Sequence, residues 1–116
     1  MVQLLCMNLL PCLLSLGQCP GNSAQYFAEF YNAAQDPVDI FWINYKGKEV
    51  KYKSCLDQGD KYRQTTYFSH QWIFKDSSDS HSLFANANGM KENIFEGCAF
   101  KAEANSIIHV TITEGN

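Results

Sequence analysis

From Tyr26 onward, apolar and polar positions alternate with a period of two in short runs, each closed by turn residues. "YFAEFYN" (26–32) puts Tyr26, Ala28, Phe30 and Asn32 on one face, with Phe27, Glu29 and Tyr31 on the other. Asp36-Pro37 interrupts the chain, and "VDIFWINY" (38–45) then sets Val38, Ile40, Trp42 and Asn44 against Asp39, Phe41, Ile43 and Tyr45. Lys46-Gly47-Lys48 is a tight-turn signal leading into "EVKY" (49–52). Further runs are "YRQTTYF" (62–68), "QWIFKD" (71–76), "HSLFANA" (81–87) and "SIIHVTIT" (106–113), the clearest of all, while "NGMKEN" reads as a turn. Helical spacing does not persist over a dozen residues beyond Tyr31. Short strands at near-regular spacing predict an all-β chain, an antiparallel β-sandwich of about seven short strands over residues 26–116.

The first residues follow another rule. "LLCMNLLPCLLSLG" (4–17) is leucine-rich and uncharged, with the length of a secretory leader's apolar core and too short to span a bilayer comfortably. Small residues at Ser15 and Gly17 suit cleavage before Gln18, so residues 1–17 are expected to be a signal peptide and 18–25 a linker. The expected location is the secretory pathway or outside the cell, with no membrane span in the mature chain. Against it, "MVQ" has no basic residue and Asn8 and Pro11 interrupt the apolar run, so a cytoplasmic protein with an uncleaved extension is the alternative. Of five cysteines, Cys19, Cys55 and Cys98 would remain after cleavage. A Cys55–Cys98 disulfide with Cys19 free is one reading and free thiols the other.

At 116 residues the chain supports one domain, and 46% apolar with 18% charged residues argues against disorder. A net charge of −3 with no long basic run argues against nucleic acid as a partner. Lys46, Lys48, Lys51 and Lys53 read as lysines that blunt a solvent-facing strand. Enzymatic patterns are missing: there is no G-x-S-x-G, no Gly-rich phosphate loop and no paired histidines at metal-ligand spacing. No catalytic residue, metal or cofactor is therefore expected. "DSSDSH" (76–81) reads as a polar surface loop in preference to a weak cation site. "TTYFSHQWIFKD" (65–76) differs, because it gathers Thr66, Tyr67, His70 and Trp72 in a strand-like run. With Trp42 and Tyr52 on neighbouring strands, these residues suit either a core or an aromatic-walled site with Thr66 and His70 as its polar groups. Trp42 shares a face with Val38 and Ile40, which favours the core.

A resemblance shifts that balance. "F-x-N" at Phe30–Asn32, "W-x-N-x-x-G" (Trp42, Asn44, Gly47), Tyr52, Gly59 and "T-Y-x-x-H-x-W-x-F-x-D" (Thr66, Tyr67, His70, Trp72, Phe74, Asp76) follow one another at spacings that resemble the von Hippel–Lindau β-domain family. The likeness runs from about Phe30 to Asp76 and, less closely, on to Thr113, with one extra residue between Tyr52 and Gly59. It implies an antiparallel sandwich that binds an extended peptide containing 4-hydroxyproline. Trp42, Tyr52 and Trp72 would wall the pyrrolidine ring, His70 and Thr66 would bond its hydroxyl, and Tyr52 would reach a peptide carbonyl. Phe74 and Asp76 would be structural.

The departures carry weight too. Thr66 stands where the family has serine, Thr65 where it has a further histidine, and Lys53 where it has proline. No counterparts of the upstream peptide-gripping residues stand around Gly21–Ser23. The sequence ends at Asn116, so the family's helical, elongin-binding domain is not expected, nor is an elongin-type ligase partner. The expectation is a peptide-binding module for hydroxyproline-containing segments, collagen-like if the protein is secreted. The alternatives are a secreted structural or interaction sandwich with no such recognition, and a ubiquitin-ligase recognition part working with a separate helical partner.

Overall fold

The computed structural model describes residues 24–115. The expected signal peptide and most of the linker lie outside them. The strands are β1 (Gln25–Asn32), β2 (Val38–Ile43), β3 (Glu49–Leu56), β4 (Lys61–Tyr67), β5 (Gln71–Asp76), β6 (Phe84–Ala87), β7 (Met90–Glu92), β8 (Phe95–Glu96) and β9 (Ile107–Thr113). They form two sheets, ordered β4-β1-β9-β6-β7 and β3-β2-β5-β8. No helix among the described residues is long and apolar enough to cross a membrane.

The alternation read from the sequence decides which side chains lie between the sheets. On β1, Tyr26, Ala28, Phe30 and Asn32 are buried, and on β9, Ile108, Val110 and Ile112 are. Phe30 sits at the centre, with ring centroids 5.9 Å from Trp72, 5.2 Å from Phe74 and 5.9 Å from Phe95. The one polar member of the β1 row is fully bonded: Asn32 donates to the carbonyls of Asp36 and Leu56 and accepts from the Ala34 N–H. A buried amide so satisfied ties the β1–β2 turn to the end of β3 at little desolvation cost.

Four features depart from the expected pattern. β1 pairs β9 in parallel, while its other neighbour, β4, is antiparallel. "NGMKEN" contains β7, and the two-residue β8 adds an edge to the second sheet. β1 begins at Gln25, inside the expected linker. Finally, Cys55 is an exposed free thiol, so the Cys55–Cys98 bridge is not formed. β3 and β8 are the opposite edges of one sheet, three strand spacings or about 14 Å apart. A disulfide needs Cα atoms within about 7 Å. Cys98 is disulfide-bonded, but not to Cys55.

Two irregularities bend β3. Ile40 pairs Lys53 and Phe41 pairs Lys51, which leaves Tyr52 as an extra residue in the ladder. A second extra residue falls between the Val38–Leu56 and Ile40–Lys53 pairs, where Cys55 has a φ of 55° and its N–H donates to the Asp39 carboxylate at 2.9 Å. Bulges of this kind kink an edge strand and re-aim its side chains.

Candidate functional site: an aromatic cage where the chain changes sheets

Between β4 and β5 the chain crosses from one sheet to the other in three residues, with the His70 N–H donating to the Tyr67 carbonyl at 3.0 Å. This short crossing places Thr66, at the end of β4, beside Trp72, at the start of β5. The indole N–H of Trp72 donates to Thr66 Oγ1 at 3.0 Å, a bond from one sheet to the other. Both residues are almost fully enclosed, Thr66 being 1% and Trp72 2% exposed. They form a floor.

The walls come from the neighbouring strands. Trp42 lies directly opposite Trp72 in the β2–β5 ladder. The bulge residue Tyr52 stands edge-on to Trp72, centroids 5.1 Å apart, and to Trp42 at 6.2 Å. The His70 ring lies 5.2 Å from Trp42 and 5.2 Å from Tyr67. Tyr52 is 44% exposed and Trp42 and His70 are half-buried, so the group grades from a closed floor to an open rim. All five expected site residues, Trp42, Tyr52, Thr66, His70 and Trp72, therefore meet, although they belong to both sheets and to a connecting turn.

The polar atoms here are unevenly satisfied. Burial holds the His70 imidazole below the usual histidine range, which keeps it neutral near pH 7. Its Nε2 lies 3.0 Å from Tyr45 Oη, and Nδ1 has no hydrogen-bond partner among the described residues. The Trp42 indole N–H is buried with no acceptor among the described residues. Such an orphan donor costs about 1–3 kcal/mol until something accepts from it. Thr66 accepts from Trp72, its hydroxyl faces the buried Tyr26 phenol, and its oxygen keeps a second lone pair. The arrangement is a cluster of touching aromatic rings, open at its rim, with a hydroxyl and an imidazole among them, the residue types that suit a small apolar ring carrying a single polar atom.

Two tyrosines here lay outside the sequence-based expectation. Tyr45, in the β2–β3 turn, stands edge-on to Trp42 at 5.8 Å besides reaching His70. Beneath the floor, Tyr26 is fully buried, and burial above all raises its phenol beyond the ordinary tyrosine range. A Cβ on Gly97 would lie 2.6 Å from that phenol oxygen, so only glycine fits opposite it. Tyr26 did show in the sequence, but only as one of a buried-looking row.

Elsewhere the polar residues hold the fold. Phe74 is core, and Asp76 accepts from the N–H groups of Ser78 and Asp79. His81 is clasped between Asp79, at 2.6 Å, and Glu114, at 2.9 Å, and His109 pairs with Glu29. Lys51 pairs with Asp39 and lies over the Phe41 ring, covering apolar strand surface. A concavity of about 350 Å³ near the start of β9, lined by Asn88, Lys101 and Ile107 among others, shares no residue with the cage.

The fold is a two-sheet β-sandwich that carries an aromatic cluster where the chain crosses between the sheets. Residues 22–94, well over half of the chain, match the VHL beta domain family, and the chain belongs to it. Domains of this family recognise substrates, which makes the protein a binding module engaged in protein–protein interaction. No curated protein matches the chain.

Proposed function

We propose that the cage binds peptide segments containing hydroxyproline. The observation that carries this reading is the meeting of Trp42, Tyr52 and Trp72 in one aromatic cluster that also holds His70 and Thr66. A pyrrolidine ring buries its carbons against the three aromatic rings, and its hydroxyl meets Thr66 Oγ1 and His70 Nδ1. Proline fills the same volume but leaves His70 Nδ1 without a partner and Thr66 with Trp72 alone, at a cost of about 1–3 kcal/mol for the unpaired group. β4 is an edge strand, so flanking peptide can lie along it and add main-chain hydrogen bonds. Tyr52, exposed on the rim, is the residue we assign to a peptide carbonyl.

The proposed location is the secretory pathway or beyond the cell. The leader-like residues 4–17 support it, and so does the disulfide at Cys98, a bond typical of oxidising compartments. Hydroxyproline-rich, collagen-like matrix proteins are then the natural ligands. The test is a titration of matched hydroxyproline and proline peptides followed by tryptophan fluorescence. A change in emission with the hydroxylated peptide alone is expected, and equal responses would refute the reading.

One observation favours a second reading, a sandwich that interacts through other surfaces. Thr66 and Trp72 are enclosed and satisfy one another, as residues of a plain core do. On that reading emission is indifferent to either peptide.

A further inference from the structure

We infer that Tyr45 is a positioning residue that sets the tautomer of His70, and through it the direction of the hydrogen bonds offered to a ligand hydroxyl. The inference rests on the hydroxyproline reading above and adds to it a residue and a polarity. Tyr45 Oη lies 3.0 Å from His70 Nε2, and its ring stands edge-on to His70 and to Trp42, each with centroids 5.8 Å apart. The turn beneath is firmly built: the Asn44 side chain accepts from the N–H groups of Lys46 and Lys48, both at 2.9 Å, and Gly47 takes the φ of 78° that closes it.

A neutral imidazole has one N–H and one lone pair, and the bond made by one nitrogen decides the role of the other. Between a phenol and a neutral imidazole the phenol is the stronger acid and the imidazole the stronger base. The Tyr45 O–H therefore donates to Nε2, and the imidazole proton resides on Nδ1. Burial keeps the ring neutral near pH 7, so this choice is not erased by protonation. His70 thus presents an N–H at Nδ1, the nitrogen with no partner among the described residues. A ligand hydroxyl accepts from it and donates its own hydrogen to the remaining lone pair of Thr66 Oγ1, whose other lone pair is taken by Trp72. No donor then faces a donor, and no acceptor an acceptor.

Without the phenol hydroxyl, nothing holds the Nε2 lone pair and Nδ1 is released to lose its proton. His70 and Thr66 must then exchange roles to bind the same hydroxyl. The experiment is a ¹⁵N–¹H correlation spectrum of the histidine rings in the full chain, for the wild type and Tyr45→Phe, alongside titrations with matched hydroxyproline and proline peptides. In the wild type, Nδ1 is expected to be protonated and Nε2 to show the shift of an unprotonated nitrogen. In Tyr45→Phe that pattern reverses, and preference for hydroxyproline falls about fivefold with proline-peptide affinity unchanged. An unchanged thermal melt confirms that the exposed Tyr45 has not been traded for misfolding. A wild-type proton on Nε2, or an unchanged tautomer and preference in Tyr45→Phe, overturns the inference. If the wild type binds both peptides alike while the tautomer still reverses, the hydroxyproline reading fails and the positioning role of Tyr45 stands.

Discussion

Replacing Thr66 with valine probes the floor of the cage with little change of shape. The substitution removes the hydrogen-bond acceptor of the Trp72 indole N–H, which is bonded at 3.0 Å where the two residues are 1% and 2% exposed. At that burial water cannot replace the lost oxygen, so the indole donor is left unsatisfied at about 1–3 kcal/mol. The added methyl group returns at most about 0.8 kcal/mol. The net loss is about 1–2 kcal/mol, a fall in melting temperature of roughly 5–15 °C for a domain of this size. The assay is thermal and urea unfolding followed by circular dichroism, with hydrogen exchange of the Trp72 indole N–H as a local readout. Thr66→Ser separates the causes: it gives up a buried methyl group but keeps the oxygen, so the indole proton remains protected. A Thr66→Val protein that melts with the wild type, its indole proton still protected, would refute the cross-sheet bond.

Two further outcomes test the surroundings. His81 is held between Glu114 and Asp79, which raise its imidazole to about 9. Its folded value lies above the unfolded one of about 6.5, so the clasp stabilises fully below that pH and is lost as pH rises through about 9. An NMR titration of the His81 ring checks this, and an ordinary midpoint near 6.5 would contradict the clasp. Cys55 is exposed and free, so it should alkylate in the native protein without prior reduction, whereas Cys98 should alkylate only after reduction; intact mass reads both, and an inert Cys55 would contradict the β3 geometry.

Much of the fold was legible because one face of each long strand is buried, and alternation reports that directly. Within "YFAEFYN" and "SIIHVTIT" one alternating row is buried, Tyr26 to Asn32 in the first and Ile108 to Ile112 in the second. β7 and β8 were not legible, since three and two residues are too few to show a period. The parallel pairing of β1 with β9 joins segments some eighty residues apart, and alternation says nothing about which neighbour a strand takes. The Cys55–Cys98 expectation failed for the same reason, since cysteine spacing does not reveal that β3, which carries Cys55, and β8, just before Cys98, are opposite edges of a sheet. The grouping of Trp42, Tyr52, Thr66, His70 and Trp72 came from the resemblance to a family, and the structure brings the five together. Alone, each reads equally well as core. Tyr45 was not legible, because an aromatic residue in a hairpin turn carries no pattern that separates decoration from contact. The bulge that turns Tyr52 toward Trp72 is likewise invisible in "EVKY", where Tyr52 is one more alternating residue.

The most direct test of the central claim is a thermodynamic cycle that pairs His70→Ala in the protein with hydroxyproline→proline in the peptide, measured calorimetrically. If the cage reads the hydroxyl through His70, the two changes are coupled by about 1–3 kcal/mol: the wild type prefers the hydroxylated peptide, and the variant largely loses that preference. If the two losses simply add, or the wild type binds both peptides alike, His70 does not read a hydroxyl and the cage is not a hydroxyproline site.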